Sequence, residues 1–375
     1  MTWLAKGGGV DNNVLQTILG LRDEFEMHLA VGSEIHYNPF ERLEGIRFIV
    51  CPSLVRKISP WKDLKALTFF YRLIRREKYD IVHTHEAKAS FITRIAAWLA
   101  RCPFIIYGLH GVTFNDPLNP FVRRLYVLIE KYSIGTADFI VSVSRQVIDI
   151  YHSEQIGKKT PFLVIHSGIN LKPFLQIHEN DSSQRTARRK SLGFNDEDIV
   201  LVNVGRFSHS KAQRYTIEAF QSLSGNYSKL KLLLVGEGEL MEQCKAQVNN
   251  AGLSSRVNFY GYSDAIPELI HASDINVLTS LREGLPRVVA EACFCKRPTV
   301  AFDVEGLKEI ITDGHSGFMV TQCDTAALTE KIKLLIDNSE LRTKFGEVGF
   351  MHACRYWDAQ IMINELRELY LQSRN

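Results

Sequence analysis

The sequence lacks the marks of several large protein classes. Its seven cysteines are scattered, no Cys-x-x-Cys occurs, and the one close pair, Cys293 and Cys295, has no second pair with which to complete a zinc site. No apolar run approaches the roughly 20 residues that a membrane-spanning helix needs, and the first residues contain no apolar stretch typical of a signal peptide. We therefore expect a cytoplasmic protein with reduced thiols rather than a secreted or integral membrane protein.

What the chain does have is the size and composition of a globular protein. Its 375 residues predict two domains, because single cores stop growing beyond roughly 250–300 residues. Apolar residues make up 45% and charged residues 23%, which is ordinary for a globular protein. The net charge is +3, with a net of +5 in residues 1–170 and −2 in the remainder. The positive first part fits an anionic partner such as a lipid headgroup or a phosphorylated acceptor, and chance scatter explains it equally well.

Short apolar runs alternate with amphipathic segments along the whole chain, a pattern that predicts parallel sheets with helices on both faces. The rhythm stops at residues 167–194, where a polar segment carries Arg185, Arg188, Arg189 and Lys190. We place the domain boundary there, with one domain at 1–170 and the other at 171–357. The predicted strands lie at 27–31, 46–50, 81–84, 104–107, 139–142 and 162–165, and then at 200–204, 231–235, 257–260, 275–278 and 299–302.

This pattern predicts the α/β fold class, with two doubly wound, Rossmann-like domains facing each other across a cleft. Ligands of such sheets bind beyond the carboxyl ends of the strands, so the cleft is the expected site. The terminal segment 358–375 contains an amphipathic helix that we expect to pack back on the first domain.

The most informative segment is 280–292, where a predicted strand runs into a Gly-Leu-Pro turn and a helix begins near Arg287. Unpaired N–H groups at such a turn, from Gly284 and Leu285, can hold a phosphate. Glu283 precedes the turn, and Glu291 follows it where a carboxylate can accept hydrogen bonds from a ribose diol. Two surface glutamates flanking a helix cap explain the same spacing.

A second segment, 204–211, ends a predicted strand at Gly205 and places two cations, Arg206 and Lys211, in the loop that follows. Such a pair can clamp a diphosphate, the guanidinium as a fork and the ammonium as a point charge. Two solvated loop cations are the plainer interpretation.

Taken with its flanks, the segment from Glu283 to Glu291 resembles the Glu-x7-Glu motif of family-4 retaining glycosyltransferases, which have the GT-B fold of two Rossmann-like domains. Residues 297–306 and 310–320 resemble the motifs that follow it in that family. The resemblance implies that Glu283 lies by the transferred sugar and that Glu291 holds the nucleotide ribose.

Three further segments of the second half carry the resemblance. The loop with Arg206 and Lys211 resembles the family's diphosphate-binding segment, with Ala212 where glycine is usual. Residues 231–238 resemble a strand followed by a Gly-x-Gly loop that contains Gly236, and residues 256–262 resemble a nucleobase pocket that would include Tyr260.

The first half has its own matches. Residues 6–13 resemble a glycine loop whose backbone, at Gly8 and Gly9, would meet the donor phosphate and the acceptor. Residues 107–114 resemble a segment of bacterial surface-polysaccharide glycosyltransferases in which His110 would approach the donor sugar. Residues 80–90 resemble a neighbouring motif, from which we expect His85 and Lys88 to face the acceptor.

Residues 59–78 are predicted to form a helix that mixes basic and aromatic side chains. A helix with an ordinary solvated basic face is one interpretation, and contact with a membrane surface is the other. The basic side chains are Lys62, Lys65, Arg72, Arg75, Arg76 and Lys78, and the aromatic ones are Trp61, Phe69, Phe70 and Tyr71.

The resemblance extends from about residue 6 to about residue 350 and implies a retaining transferase. Its expected donor is a UDP-sugar and its expected acceptor a polyprenyl-diphosphate-linked glycan for cell-surface polysaccharide, at the inner face of the membrane. We expect no aspartate cluster of the metal-binding Asp-x-Asp type, and hence metal-independent catalysis by Glu283, His110, Arg206 and Lys211, without cofactor or nucleic acid. A GT-B sugar-nucleotide epimerase and a catalytically silent nucleotide-sugar-binding subunit remain as alternatives.

Overall fold

The structure is a computed structural model that describes residues 9–33, 43, 45–112, 114, 119–179 and 181–374. The chain divides into two compact units. Unit 1 runs to Gly168 and takes up again at Ala359, and unit 2 comprises Ile169–Asp358.

Unit 1 is built on parallel strands that form a two-stranded and a four-stranded sheet among the described residues. The four-stranded sheet has the order β3-β4-β5-β6 and the other sheet pairs β1 with β2. Its elements are α1 Gly9–Leu21, β1 His28–Gly32, β2 Arg47–Cys51, α2 Pro60–Glu77, β3 Ile81–His85, α3 Ala87–Leu99, β4 Phe104–Leu109, α4 Pro120–Ser133, β5 Phe139–Ser142, α5 Arg145–Ser153, β6 Phe162–Val164 and α15 Ala359–Leu371.

The apolar composition of β4 explains its central place, because all six of its residues are buried, as in a strand covered on both faces. Helix α15 ends the chain but packs on α1. A Cβ atom built on Gly20 would lie 2.4 Å from the Ile363 side chain, so the missing side chain of Gly20 lets the two helices approach closely. The buried positions of α15 include Leu366, Leu369 and Tyr370, which its amphipathic pattern places on one side.

Unit 2 contains a six-stranded parallel sheet in the order β12-β11-β10-β7-β8-β9. This is the doubly wound order, in which the direction of winding reverses between β7 and β10. Its elements are α6 Lys172–Glu179, α7 Asp181–Ser191, β7 Ile199–Val204, α8 Arg214–Ser224, β8 Leu230–Val235, α9 Met241–Asn250, β9 Val257–Gly261, α10 Ile266–His271, β10 Ile275–Leu278, α11 Arg287–Phe294, β11 Thr299–Phe302, α12 Leu307–Ile310, β12 Gly317–Val320, α13 Thr325–Asp337 and α14 Ser339–Tyr356.

The polar segment that interrupts the apolar rhythm is helical and belongs to unit 2. Helix α7 carries Arg185 and Arg189, and both guanidinium groups bind the Asp274 carboxylate at the start of β10. Arg189 is only 1% exposed. The segment has no apolar periodicity because arginine–carboxylate contacts, rather than apolar side chains, fasten it to the domain.

One strand was missed by the sequence pattern. β12 pairs with β11 at the edge of the sheet, and two of its four residues are only partly buried. A four-residue edge strand that starts with Gly317 carries too short an apolar run to stand out from a loop.

Candidate active site

The reversal point of the unit 2 sheet gathers the predicted donor-binding residues. Strands β7 and β10 are neighbours, and each is followed at its carboxyl end by one of the two predicted segments. Gly205, Arg206 and Lys211 follow β7, and the turn from Glu283 to Leu285 follows β10. This is where a doubly wound sheet binds its ligand.

The two loops contact each other directly. Lys211 Nζ forms an ion pair with Glu283 Oε1, and their side chains are 27% and 11% exposed. The Leu281 amide donates to Ser210 O at 2.7 Å. The ammonium group is therefore held at the edge of the site by a carboxylate from the neighbouring strand.

A chain of buried hydrogen bonds fixes the backbone beneath this ion pair. Asn203 Nδ2 donates to Thr216 Oγ1 at 2.9 Å, the Thr216 hydroxyl lies 3.0 Å from Thr279 Oγ1, and the Thr279 hydroxyl donates to Lys211 O at 3.3 Å. Buried polar groups that are all hydrogen-bonded favour one arrangement of the backbone. These three residues were not predicted from the sequence, although Asn203 interrupts the apolar strand β7 and Thr279 directly follows β10.

Ala212 takes a backbone conformation that glycine normally provides. Its φ is +46° and its side chain is buried, which explains why glycine is usual after the lysine in the motif that this loop resembles. The left-handed region costs a residue with a Cβ about 1–2 kcal/mol.

Arg206 is exposed and forms no side-chain hydrogen bond or ion pair with any residue that the structure describes. Gly205, directly before it, has room for a side chain, because a Cβ there would meet only the Lys211 side chain at 3.5 Å. The protein's own packing therefore does not require glycine at position 205.

The Gly284–Leu285 turn is packed closely from below. A Cβ on Gly306, whose φ is +73°, would lie 2.7 Å from Gly284 O and 3.2 Å from Leu285 Cα. Neither the Gly284 nor the Leu285 amide donates a hydrogen bond to another described residue. These two N–H groups are thus available to a ligand.

Glu291 lies in the second turn of α11 and is partly buried. Burial raises the pKa of its carboxyl above the usual 4.5, and the Arg287 guanidinium on the same helix opposes that shift. A hydroxyl donor at this position would compensate a carboxylate that is poorly solvated.

The Gly236 loop supports the Arg206 loop through its backbone. Gly236 has φ +136°, and a Cβ there would lie 2.1 Å from Gly205 O. The Gly236 amide donates to Gly261 O at 2.8 Å, next to Tyr260 on the edge strand β9, which is 38% exposed. Gly236 therefore has a steric role in shaping the site, and contact of Gly236 or Tyr260 with a donor stays a prediction.

Replacing Gly236 with alanine is expected to displace the Gly205–Arg206 backbone and to destabilise unit 2 by about 2 kcal/mol or more. Urea denaturation and donor affinity measure the two effects. Gly225→Ala is the matched control, because Gly225 has open space around it and an ordinary φ of −67°. If Gly236→Ala unfolds at the same urea concentration as the control, the close backbone approach is not what selects glycine.

Unit 1 contains a cluster of three histidines. His85 Nδ1 lies 2.8 Å from His110 Nε2, and His83 Nδ1 lies 2.7 Å from the Tyr370 hydroxyl of α15. The His83 and His85 rings stack at 4.3 Å between centroids. His85 was expected to face an acceptor, yet it is only 5% exposed and its Nδ1 atom is used by His110.

Burial lowers the pKa of His83 and His85 well below the ordinary 6.5. Both imidazoles then stay neutral in the folded protein while those of the unfolded chain bind protons below pH 6.5. The unfolded state binds more protons, so stability present above pH 6.5 is lost as the pH falls, by up to about 1.4 kcal/mol per pH unit for each ring. Urea denaturation at pH 7.5 and 5.5 should show this loss, with a smaller one in His85→Asn. The exposed His315→Asn should behave as wild type, and an unchanged pH dependence in His85→Asn would show that other groups cause the loss.

Lys88 has three partners within unit 1. Its Nζ forms an ion pair with Asp63 Oδ1 at 2.6 Å and donates to Val55 O at 2.7 Å and Lys57 O at 2.5 Å. These contacts tie α3 to the start of α2, so the side chain has a structural use that the sequence did not predict. Its expected role toward an acceptor stays a prediction.

Gly8 and Gly9 are the two donor-binding positions predicted near the start of the sequence. Gly8 lies outside the described residues. Gly9 is the first residue of α1.

Beyond the motifs, an Asp-x-Asp triplet does occur at residues 196–198. It precedes β7 and so lies at the amino end of the sheet, where the Asp198 carboxylate accepts a hydrogen bond from the Asn195 amide. Its position at the opposite edge from Arg206 and Glu283 separates it from the donor-site residues.

Family comparisons agree with this geometry. Residues 184–350 match the family described as glycosyl transferases group 1, and residues 8–168 match the family described as glycosyl transferase 4-like domain. The first match contains all the predicted donor residues of unit 2, and the second contains the histidine cluster up to His110.

Relatives and solved structures show the same likeness over most of the chain. The UDP-Gal:alpha-D-GlcNAc-diphosphoundecaprenol alpha-1,3-galactosyltransferase of Escherichia coli is 29% identical over 80% of this chain and 77% of its own length. The N,N'-diacetylbacillosaminyl-diphospho-undecaprenol alpha-1,3-N-acetylgalactosaminyltransferase of Campylobacter jejuni is 24% identical over 97% of this chain and 96% of its own.

Among solved structures, Anabaena Alr3699/HepE in complex with UDP-glucose superposes with a TM-score of 0.81 at 20% identity. The match covers 99% of each chain, which shows that the fold is shared. With the two family matches and the glycosyltransferase relatives, the fold and the site lead to one conclusion: the chain belongs to the glycosyltransferases of GT-B fold, in the family-4 group.

Proposed function

We propose that this glycosyltransferase moves a sugar from a UDP-sugar to a glycan carried on a polyprenyl diphosphate, with retention of anomeric configuration and without a metal ion. One observation carries the proposal. Cations from the loop after β7 and a carboxylate and free amides from the turn after β10 meet at the reversal point of the unit 2 sheet. The two relatives described above are named for diphosphoundecaprenol acceptors, which supports the acceptor class.

The donor diphosphate would bind between Arg206, Lys211 and the open backbone at Gly205. The exposed guanidinium is available for a bidentate contact with phosphate oxygens. The absence of a side chain at Gly205, where a Cβ would only contact the Lys211 side chain, allows a phosphate to approach the main chain. Glu291 would accept hydrogen bonds from the ribose hydroxyls.

Transfer would follow a front-face course. The bond between the anomeric carbon and the diphosphate oxygen breaks, the acceptor oxygen bonds to the same face of that carbon, and the acceptor proton passes to the departing diphosphate. Negative charge on the leaving group grows as the bond breaks, and Lys211, Arg206 and the Gly284 and Leu285 amides would stabilise it. Glu283, beside Lys211, would face the positive charge that develops on the sugar ring.

Product analysis tests this function. The purified chain is incubated with UDP- and GDP-sugars and a polyprenyl-diphosphate-linked glycan, in EDTA, and products are identified by mass spectrometry and NMR. A product containing donor sugar and acceptor, with the donor's anomeric configuration, supports the proposal. An isomerised nucleotide sugar without transfer would identify an epimerase, tight binding without turnover a silent subunit, and activity that EDTA abolishes would overturn metal independence.

We also propose that unit 1 contacts the membrane in which such an acceptor lies. No helix in the described part of the chain is long and apolar enough to cross a bilayer, so contact would be at the surface. Helix α2 exposes Trp61, at 79%, and Leu64 beside basic side chains. Phe69 and Phe70, which the sequence placed among its aromatic side chains available to a membrane, instead pack against the core.

Helix α4 is the stronger support because its apolar side faces outward. Phe121 is 78% exposed and Tyr132 81%, and Leu125, Leu128 and Ile129 on the same side are exposed as well. Its inward side instead carries Glu130, which is buried and forms an ion pair with the buried Arg94 at 3.5 Å. An outward apolar stripe flanked by exposed basic residues suits the interface of an anionic bilayer.

Vesicle flotation tests the membrane contact. The double variant Phe121→Gln/Tyr132→Gln should bind vesicles of phosphatidylcholine and phosphatidylglycerol at least tenfold more weakly. Each aromatic ring that no longer contacts the bilayer costs about 1.5 kcal/mol or more. Met351→Gln, which changes an apolar side chain of unit 2 that is 63% exposed, is the control. Equal binding by the double variant and the wild type would rule out α4 as the contact.

A further inference from the structure

The histidine cluster of unit 1 has a geometry that its predicted role does not explain. His85 is the last residue of β3, and it pairs in register with Gly108 of the neighbouring strand β4. His110 follows two residues later, which brings its ring back over His85 with 5.1 Å between ring centroids. A buried imidazole thus lies directly behind the histidine that follows the strand.

Gly108 makes room for this pairing. A Cβ at position 108 would lie 2.5 Å from His85 Nδ1 and 3.1 Å from His83 Nε2. Any side chain there would displace the His85 ring from its contact with His110. Strand β4 therefore carries glycine opposite His85, beside the two imidazoles of β3.

The back of the cluster is also fixed. His83 stacks on His85 and bonds through Nδ1 to the Tyr370 hydroxyl, on α15 from the far end of the chain. A cavity of about 10 Å³, on the order of one water molecule, lies beside these rings and is lined also by Asn13 and Met362. His85 therefore has little freedom to turn and little access for a large acceptor.

We propose that His85 is a positioning residue that fixes the ring orientation and tautomer of His110. A neutral imidazole has one donor and one acceptor nitrogen, so the hydrogen bond at His110 Nε2 decides what its Nδ1 atom offers to a ligand. This inference rests on the proposed function and on the expectation, drawn from the resemblance, that His110 approaches the donor sugar. It assigns His85 to His110 rather than to the acceptor.

Four variants test the assignment by steady-state kinetics. His85→Asn can place its amide near the position of Nδ1 and should keep kcat within about threefold, whereas His85→Leu should lower kcat about tenfold, the loss of one orienting hydrogen bond. Acceptor KM should not change in either. His110→Ala should lower kcat. The double variant His85→Leu/His110→Ala should have a kcat less than about twofold below that of His110→Ala, because His85 acts only through His110.

Gly108→Ala is an independent variant that pushes on the His85 ring without removing it, and it should reproduce the loss of His85→Leu. Near-UV circular dichroism and UDP affinity, which reports on unit 2, control for misfolding. A raised acceptor KM in His85→Leu with unchanged kcat, or a full tenfold loss in the His110→Ala background, would overturn the proposal.

Imidazole nitrogen shifts separate this inference from the proposed function. One tautomer of His110 is expected in wild type and in His85→Asn, and a mixture in His85→Leu, whether or not the protein transfers sugar. An unchanged His110 spectrum in His85→Leu overturns the positioning role. An inactive wild type with the expected spectra overturns the proposed function alone.

Discussion

Lys211→Met is expected to lower kcat about 100- to 1,000-fold at saturating donor, the range seen when one group that stabilises a developing oxyanion is removed. The ammonium lies at the carboxyl end of β7, held by Glu283 across the reversal point of the sheet. Its positive charge would stabilise the negative charge that grows on the departing diphosphate. Because that charge is larger in the transition state than in the bound donor, kcat should fall more than donor affinity.

The variant has a second effect, since Glu283 loses its counter-charge while remaining mostly buried. Lys229→Met is the matched control, because it also removes a lysine paired with a glutamate, Glu197, but at the amino ends of β7 and its other neighbour, β8. It should leave kcat unchanged. A fall of less than about threefold in Lys211→Met, or a fall that tracks a lower melting temperature, would contradict the role assigned to Lys211.

The strands were easy to predict where both faces are covered. β10 and β11 consist wholly of buried residues, so their apolar runs begin and end where the strands do. β12 was not predicted because its apolar run after Gly317 is only three residues long. Segment 178–190 interrupts the apolar rhythm because its packing relies on arginine and carboxylate groups, which carry no hydrophobic period.

The site was predictable to a different degree. The motifs indicated which loops matter, but not which atoms meet, because contact depends on the order of strands in the sheet. That order brings Lys211 to Glu283, 72 positions away. His85 shows the limit most clearly: the segment that contains it suggested a residue facing the acceptor, and only the register of β3 against β4 reveals its buried contact with His110.

Asp274→Ala is expected to destabilise unit 2 by about 3 kcal/mol, the lower end of the cost of breaking a buried ion pair. Asp274 Oδ1 accepts from Arg185 at 2.6 Å, and Oδ2 accepts from Arg189 at 3.3 Å and from the Val200 amide at 2.8 Å. Without the carboxylate, the buried Arg189 guanidinium has no counter-charge, although it keeps carbonyl partners such as Ala272 O at 3.1 Å. Those partners place the expected cost at the lower end.

The loss should reach the active site because Asp274 joins the amino ends of β7 and β10, the two strands whose other ends carry Arg206 and Glu283. Their registered pairs, Ile275 with Leu201 and Asn276 with Val202, lie next to this contact. Thermal and urea unfolding measure the change, with Glu197→Ala, which breaks an exposed ion pair, as the control that should change stability little.

Asp274→Ala/Arg189→Met separates charge burial from lost packing. If the penalty comes from an uncompensated buried charge, removing the guanidinium should recover part of the stability. A double variant no more stable than Asp274→Ala would mean that the arginine contacts to carbonyl oxygens, and not its charge, hold α7 to the sheet.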